Sequence, residues 1–413
     1  MARLHSFSKM ASFASLASLL GTTLAQWPNP EPLVNNSIVA GVRDPSLIKR
    51  VSDGKYFLFG TNGNGTVHTA DSLHGPWAYQ PWGALEVEQT VVAPQVYYIP
   101  DEKTYYMYYC GTRGPQSTWW YNANIRVATS ETMEAGTWKD FGLVDIPYNN
   151  QNVTKYSVGY NILDPSLLII DPTDPINDEL QQRRKRRDGV VSTETQYYLS
   201  FGSYESGIFQ AVLEDPMRLQ RSNKTLASEE YTINHLEWNS TAQHSTEGSF
   251  QWAWPVDGSG PVNYYLFFSS GQCCDFKDKP VNDSSDAYKI MVCRSDSPEG
   301  PFTDRDGKDC QSENGGTLLL GSHGSVYAPG GQGVMYDENL GGTVLYYHYL
   351  PSDPNSETLM PDLNYGDNDA YFGWNNMDWD LEGWPTLVET AKSDVIWPFK
   401  REEGQRRAVH KQW

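Results

Sequence analysis

Asp-Pro-Ser-Leu occurs twice in the chain, at Asp44 to Leu47 and at Asp164 to Leu167, and each copy leads into an apolar stretch with the look of a strand. A single Asp-Pro is ordinarily a turn starter. A repeated tetrapeptide in front of repeated strands is a different signal, because equivalent places in a repeat architecture converge. Two carboxylates brought together in this way shift each other's proton affinity, since like charges disfavour joint ionisation. A third acid, Glu247, stands in Ser245-Thr246-Glu247-Gly248-Ser249-Phe250. The glycine after it lets backbone and ligand approach closely. A glutamate among apolar and aromatic groups has a raised pKa and suits general-acid work. Three acids of this kind point to proton transfer. No G-x-S-x-G elbow, phosphate loop, H-E-x-x-H or dinucleotide fingerprint competes with them. The Gly-rich stretch Ala328-Pro329-Gly330-Gly331-Gln332-Gly333 lacks the Lys-Ser/Thr pair that a phosphate loop needs.

The elements that must position these acids read as strands. Short aromatic and β-branched runs recur between Gly, Pro, Asn and Asp clusters, with almost no long helical periodicity. One run recurs five times: Tyr56 to Gly60, Tyr105 to Gly111, Tyr197 to Ser203, Tyr264 to Gly271, and Leu345 to Leu350. A second repeat, Asp71 to Trp77 and Asp296 to Phe302, shares the pattern Asp-Ser-x-x-Gly-Pro-aromatic, and Ser130 to Trp138 is a looser copy. Five copies of one unit predict radial repetition, an all-β, five-bladed β-propeller in which each copy is an inner or middle strand of a blade. Two stacked β-sandwiches are the alternative; no Pro- or Ser-rich linker divides the chain, which favours a single domain. In a propeller the starts of the inner strands meet at one end of the central channel, which places Asp44 and Asp164 together.

The remaining sequence sets the chemical context. Asp and Glu number 51 against 31 Lys and Arg, a formal net charge of -20, which argues against nucleic acid and anionic lipid as partners and leaves a neutral polymer as an easy one. The 26 Tyr and 14 Trp fill a β-rich core and also suit packing on sugar faces. Residues 1–25 read as a signal peptide: Arg3 and Lys9, a short apolar run from Met10 to Leu20, then Thr23-Leu24-Ala25 before Gln26. That run is too short to span a bilayer, and no later segment has the roughly 18 apolar residues required. Six Asn-x-Ser/Thr sequons (Asn35, Asn64, Asn152, Asn223, Asn239, Asn282) fit a secreted glycoprotein. The five cysteines are too few for a disulfide scaffold. Cys293 with Cys310 is one candidate pairing, Cys273 with Cys274 another, and the odd count leaves at least one thiol free. No Cys/His cluster suggests zinc. Arg183 to Arg187 is a basic run in an acidic chain, an exposed loop extension or a nicking site for a dibasic-cleaving protease. The expected layout is a propeller over residues 26–395 and a basic, mobile tail over 396–413. No interface signal appears, so a monomer is expected.

Taken in order, these elements resemble glycoside hydrolase family 43, especially its arabinan endo-1,5-α-L-arabinosidases. The resemblance rests on Arg43-Asp44-Pro45-Ser46, Ala93-Pro94-Gln95-Val96, Asn161 to Ser166, Phe201-Gly202-Ser203 through Phe209, Thr246-Glu247-Gly248, Tyr264 to Cys274, Tyr288 to Pro301 and Tyr346-Tyr347-His348. It spans most of the chain. It implies a five-bladed propeller and inverting hydrolysis of arabinan, a plant cell-wall polysaccharide. By position Asp44 is then the general base, Glu247 the general acid, and Asp164 the residue that orients Glu247 and raises its pKa. Asn161 and Ser203 take substrate-binding places. Inverting enzymes hold acid and base roughly 6.5–9.5 Å apart. The sequence departs from the family in two places. Arg43 stands where many members carry His. Ala328-Pro329-Gly330-Gly331 stands where members often read Gly-Pro-Gly-His, whose His supports a metal ion in the channel. With Gly331 there, no cofactor is expected to be required, and calcium in the channel is the exception to test, with His323 and Gln332 as the neighbours that would compensate. An exo-acting α-L-arabinofuranosidase or β-xylosidase would use the same acids, and a non-catalytic sugar-binding propeller is the reading from outside enzymology.

Overall fold

Strands dominate the computed structural model, which describes residues 27–31, 39–88, 90–112, 123–147, 159–172, 194–221, 231–241, 244–255, 262–278, 281, 284–352 and 369–389. The segment read as a signal peptide, the sequons Asn35, Asn152, Asn223 and Asn282, the run Arg183 to Arg187 and the basic tail lie outside the described residues. Ser284–Asp286 forms a short 3-10 segment, and among the described residues no helix is long and apolar enough to cross a membrane.

After β1 (Val39–Ala40), five antiparallel sheets follow in chain order. Blade one is β2 (Arg43–Lys49), β3 (Tyr56–Thr61), β4 (Thr66–Ala70) and β5 (Ala78–Tyr79). Blade two is β6 (Thr90–Ile99), β7 (Thr104–Thr112), β8 (Asn124–Ser130) and β9 (Lys139–Leu143). Blade three is β10 (Ser166–Ile170), β11 (Gln196–Phe201), β12 (Ile208–Asp215) and β13 (Arg218–Leu219), with β14 (Ile233–Glu237) also paired to β12. Blade four is β15 (Thr246–Pro255), β16 (Val262–Ser270), β17 (Lys289–Ser295) and β18 (Thr317–Leu320). Blade five is β19 (Val326–Asp337), β20 (Gly342–Pro351), β21 (Tyr371–Trp379) and β22 (Pro385–Val388). β1 pairs with β21, Val39 opposite Phe372, which ties the start of the chain to the last blade.

Each copy of the five-fold aromatic run is the second strand of its blade, β3, β7, β11, β16 or β20. These strands are apolar at nearly every position because both faces are buried. Alternate side chains point to opposite faces. Phe57 and Phe59 of β3 therefore pack against Tyr105 and Met107 of blade two, while Tyr56 and Leu58 pack against Val344 and Tyr346 of blade five. The same division holds between blades two and three, three and four, and four and five. An apolar cluster at every junction closes the sheets into a five-bladed propeller. The second repeat also has a fixed place. Asp71 to Trp77 links β4 to β5, Ser130 to Trp138 links β8 to β9, and Asp296 to Phe302 follows β17, so the motif is a third-to-fourth strand connection.

The first strands β2, β6, β10, β15 and β19 neighbour one another around the axis. Four of them break register near their start, at Arg43/Ser46, Val92/Gln95, Glu247/Phe250 and Tyr327/Gly330. At these breaks Asp44 (φ 47°), Ala93 (φ 45°) and Ala328 (φ 51°) take left-handed backbone, as does Asp164 (φ 54°) just before β10. Each of the four precedes a proline. A non-glycine residue held there costs of order 1–3 kcal/mol and persists only where its surroundings impose it. The left-handed residue before proline is thus one recurring device, and blades one and three load it with aspartate.

Candidate active site

Asp44, Asp164 and Glu247 gather at the starts of β2, β10 and β15, all three partly open to solvent. Asp44 Oδ2 accepts from Thr61 Oγ1 at 2.5 Å, and the Asp44 backbone N–H donates to His348 Nδ1 at 3.1 Å. Thr61 Oγ1 in turn accepts from the Ala93 N–H at 2.9 Å. Asp164 Oδ2 accepts the Gly248 N–H at 3.0 Å, and the Asp164 N–H faces the buried thiol of Cys110 at 3.2 Å. Glu247 is gripped at both oxygens: Ser203 Oγ donates to Oε2 at 2.6 Å and Tyr288 OH to Oε1 at 3.0 Å.

Electrostatics follow from this crowding. Burial, then the charges of Glu247 and Asp44, push the Asp164 carboxyl well above the usual carboxylate range. Burial and the Asp44 charge also raise Glu247, against the pull of its hydrogen bonds from Ser203 and Tyr288 and of the Arg43 guanidinium. Both carboxyls are therefore shifted toward the protonated form, Asp164 the more strongly. Burial holds His348 neutral, its pKa pushed down to about 3. A neutral ring whose Nδ1 accepts a backbone N–H carries its proton on Nε2.

The two residues expected at substrate-binding places act here on the protein itself: Asn161 Nδ2 donates to the Ser203 carbonyl at 2.8 Å, and the Ser203 hydroxyl holds Glu247. Gln332 supports the site, its Nε2 donating to the Gly248 carbonyl at 2.6 Å while its Oε1 accepts from Ser269 at 2.7 Å. His323 is engaged elsewhere, by the Gly321 and Pro28 carbonyls and the Trp27 ring. Thr61 carried no local sequence signal, and Cys110, Tyr288 and His348 stood within repeated or family-like stretches without being marked as site residues.

A channel metal does not fit the residues present. Gly331 has φ +57°, and a β-carbon there would lie 2.6 Å from His348 Nδ1 and 2.9 Å from Asp44 Oδ1. A histidine at this position has no room while His348 stays in place. His348 itself has Nδ1 occupied and a proton on Nε2, the wrong tautomer for a ligand. Among the described residues no group of three or more His, Cys, Asp or Glu is arranged to hold a metal ion.

No protein-family model matches the chain. It is 37% identical to arabinan endo-1,5-α-L-arabinosidase A of Aspergillus niger over 357 residues, 84% of this chain and 91% of that protein. It is 38% identical to the Aspergillus aculeatus protein of the same name over 354 residues, 84% and 90% of the two chains. Among solved structures, the exo-1,5-α-L-arabinanase from a bovine ruminal metagenomic library superposes with a TM-score of 0.61 at 20% identity, covering 86% of this chain and 98% of that one. The Cellvibrio cellulosa α-L-arabinanase complexed with arabinohexaose gives 0.59 at 22% identity, covering 85% and 96%. The structural likeness shows a shared fold. Propeller, carboxylate cluster and sequence relatives together define a glycoside hydrolase. The chain belongs to the arabinan endo-1,5-α-L-arabinosidases, enzymes of glycoside hydrolase family 43.

Proposed function

We propose that this chain is a secreted enzyme that hydrolyses α-1,5-L-arabinofuranosidic linkages inside plant cell-wall arabinan, with inversion at the anomeric carbon. The observation that carries the reading is the gathering of Asp44, Asp164 and Glu247 at the starts of three first strands, with Asp164 bonded to the Gly248 N–H beside Glu247 and both of these carboxyls raised in proton affinity. Glu247, its proton affinity raised by burial and by the Asp44 charge, gives its proton to the departing glycosidic oxygen. The Asp44 carboxylate, aimed by Thr61 and by its backbone bond to His348, takes a proton from water as the water oxygen attacks the anomeric carbon. Asp164 holds the Gly248 N–H and so fixes the backbone that carries Glu247. The step ends with Asp44 protonated and Glu247 ionised, and exchange with solvent resets both.

Secretion is supported by the composition of residues 1–25, by the exposed sequon asparagine Asn64, and by two disulfide bonds, which persist in oxidising compartments. Internal cleavage is supported by the names of the relatives. A timed product profile on linear α-1,5-arabinan, with arabinoxylan and xylan beside it, tests the reading. A ladder of arabino-oligosaccharides whose newly formed ends have inverted anomeric configuration by NMR is the expected outcome. Arabinose alone from the first minutes would replace endo with exo action, and turnover of xylan alone would replace the substrate.

A further inference from the structure

Cys273 and Cys274 are bonded to each other, their Cα atoms 3.8 Å apart, just after β16. A bridge between neighbouring residues closes no loop of chain, so it removes almost none of the unfolded-state entropy through which disulfides ordinarily stabilise. The contrast is Cys293–Cys310, fully buried, with a sequence separation of 17. The adjacent pair therefore lacks the usual structural reason to exist. Its place supplies another. Both residues are partly exposed. Cys274 Sγ receives Arg43 Nη2 at 3.8 Å, and Cys273 Sγ receives Tyr204 OH at 3.9 Å. Arg43 directly precedes Asp44, and its charge reaches Asp164, Glu247 and His348. Tyr204 lies close enough to Glu247 to feel its charge. Cys273 also packs on the cluster that contains Tyr288, the donor to Glu247. The backbone fixes the turn: a β-carbon on Gly271 would lie 2.4 Å from the Ala287 carbonyl oxygen, so the chain can approach only as glycine.

A sugar offers hydroxyls at its edge and C–H groups on its faces, and a site that binds one needs apolar surface as well as polar groups. Carboxylates, Arg43 and Tyr204 supply the polar part. Two bonded sulfurs are soft, polarisable and without a strong donor. We propose that the Cys273–Cys274 disulfide is the apolar ledge of the sugar cleft, on which the C–H face of a furanose unit packs while Arg43 and Tyr204 meet its hydroxyls. This assignment rests on the arabinan reading above.

The test uses the full chain and linear α-1,5-arabino-oligosaccharides. Cys273→Ser/Cys274→Ser should raise KM by about tenfold, the size expected when an apolar contact of a few tens of square ångströms is lost, with kcat changed less than about threefold. Reducing the parent protein mildly, with alkylation and mass spectrometry showing that Cys293–Cys310 stays intact, should raise KM in the same way and carries the test alone if the double variant does not fold. An unchanged KM, with or without a lower melting temperature, overturns the ledge and leaves the bridge structural. A parent chain that turns over no arabino-oligosaccharide removes the substrate reading, and the ledge with it. Normal parent turnover with an unchanged KM in the reduced protein removes the ledge alone.

Discussion

The Gly248 N–H donates to Asp164 Oδ2 across 3.0 Å, so the backbone immediately after Glu247 is held by the carboxyl group whose proton affinity Glu247 raises. Position and proton affinity are therefore tuned by one contact. Asp164→Asn keeps an acceptor for Gly248 and removes the charge partner. Freed of a neighbour that competes for the same proton, Glu247 should ionise more easily. The alkaline limb of the kcat/KM profile is expected to move to lower pH by about one unit, and the rate to fall about a hundredfold. A pH profile of the variant checks this; an unmoved limb would remove Asp164 from the tuning of Glu247.

Ser203 and Tyr288 act in the opposite direction. Both donate to Glu247 and so favour its ionised form. Ser203→Ala and Tyr288→Phe should each raise the pKa of the acid and move the alkaline limb to higher pH, by roughly half a unit to one unit, with kcat reduced about tenfold. The informative comparison is the sign: shifts in the same direction as Asp164→Asn would mean that the two hydroxyls do not stabilise the carboxylate.

Much of this arrangement was legible before the structure, for identifiable reasons. The five aromatic runs could be counted because each second strand is buried on both faces, which removes polar residues and leaves an unbroken apolar stretch. Asp44 and Asp164 were legible because one left-handed residue followed by proline recurs at the starts of inner strands. Ala93-Pro94 and Ala328-Pro329 are the same turn without an acid, so the motif marks a backbone device and the aspartates mark where chemistry uses it. Glu247 was harder to find: its strand relies on Gly248 for the left-handed turn (φ 63°), and Glu-Gly alone is a weak signal. Thr61, Tyr288 and His348 come from second or third strands or their approaches, and register decides which way a single residue there points. A one-residue slip would turn each away from the acids.

Asp44→Ala and Glu247→Ala should each lower kcat by several orders of magnitude while the melting temperature stays near that of the parent. Both side chains are partly exposed and neither belongs to an apolar cluster between the blades. Near-normal turnover in either variant, measured with linear arabinan, would take that residue out of the mechanism.

Glu237 makes a prediction about stability. Its side chain is buried at 1% exposure, Oε2 has no hydrogen-bond partner among the described residues, and burial pushes its pKa up to about 8. Its ordinary value is about 4.3. Between these values the folded chain keeps a proton that the unfolded chain releases, so stability is lost as pH rises through this window, at up to about 1.4 kcal/mol per unit. Glu237→Gln stays neutral at every pH and should flatten that slope, leaving the variant more stable than the parent near pH 8 and close to it near pH 4. Denaturant midpoints at the two values check this; parallel curves would show that Glu237 is ionised in the fold.

Gly331 and His348 bear together on the question of a metal. His348 Nδ1 is taken by the Asp44 N–H, and the ring is neutral because burial opposes its charge. The imidazole thus aims the base directly, through the Asp44 backbone. Treating the enzyme with a chelator and removing the complex should leave both kcat and melting temperature unchanged. Gly331→Ala should be far more damaging: its β-carbon strikes His348 and Asp44, and left-handed backbone costs a non-glycine residue about 1–2 kcal/mol before any clash. The expected loss is about 2–4 kcal/mol of stability together with most of the activity. His348→Ala should depress kcat with little change in KM, since it frees the backbone of Asp44 and leaves the sugar cleft intact. Loss of activity on chelation, reversed by calcium, would overturn the reading that the residues present do not hold a metal.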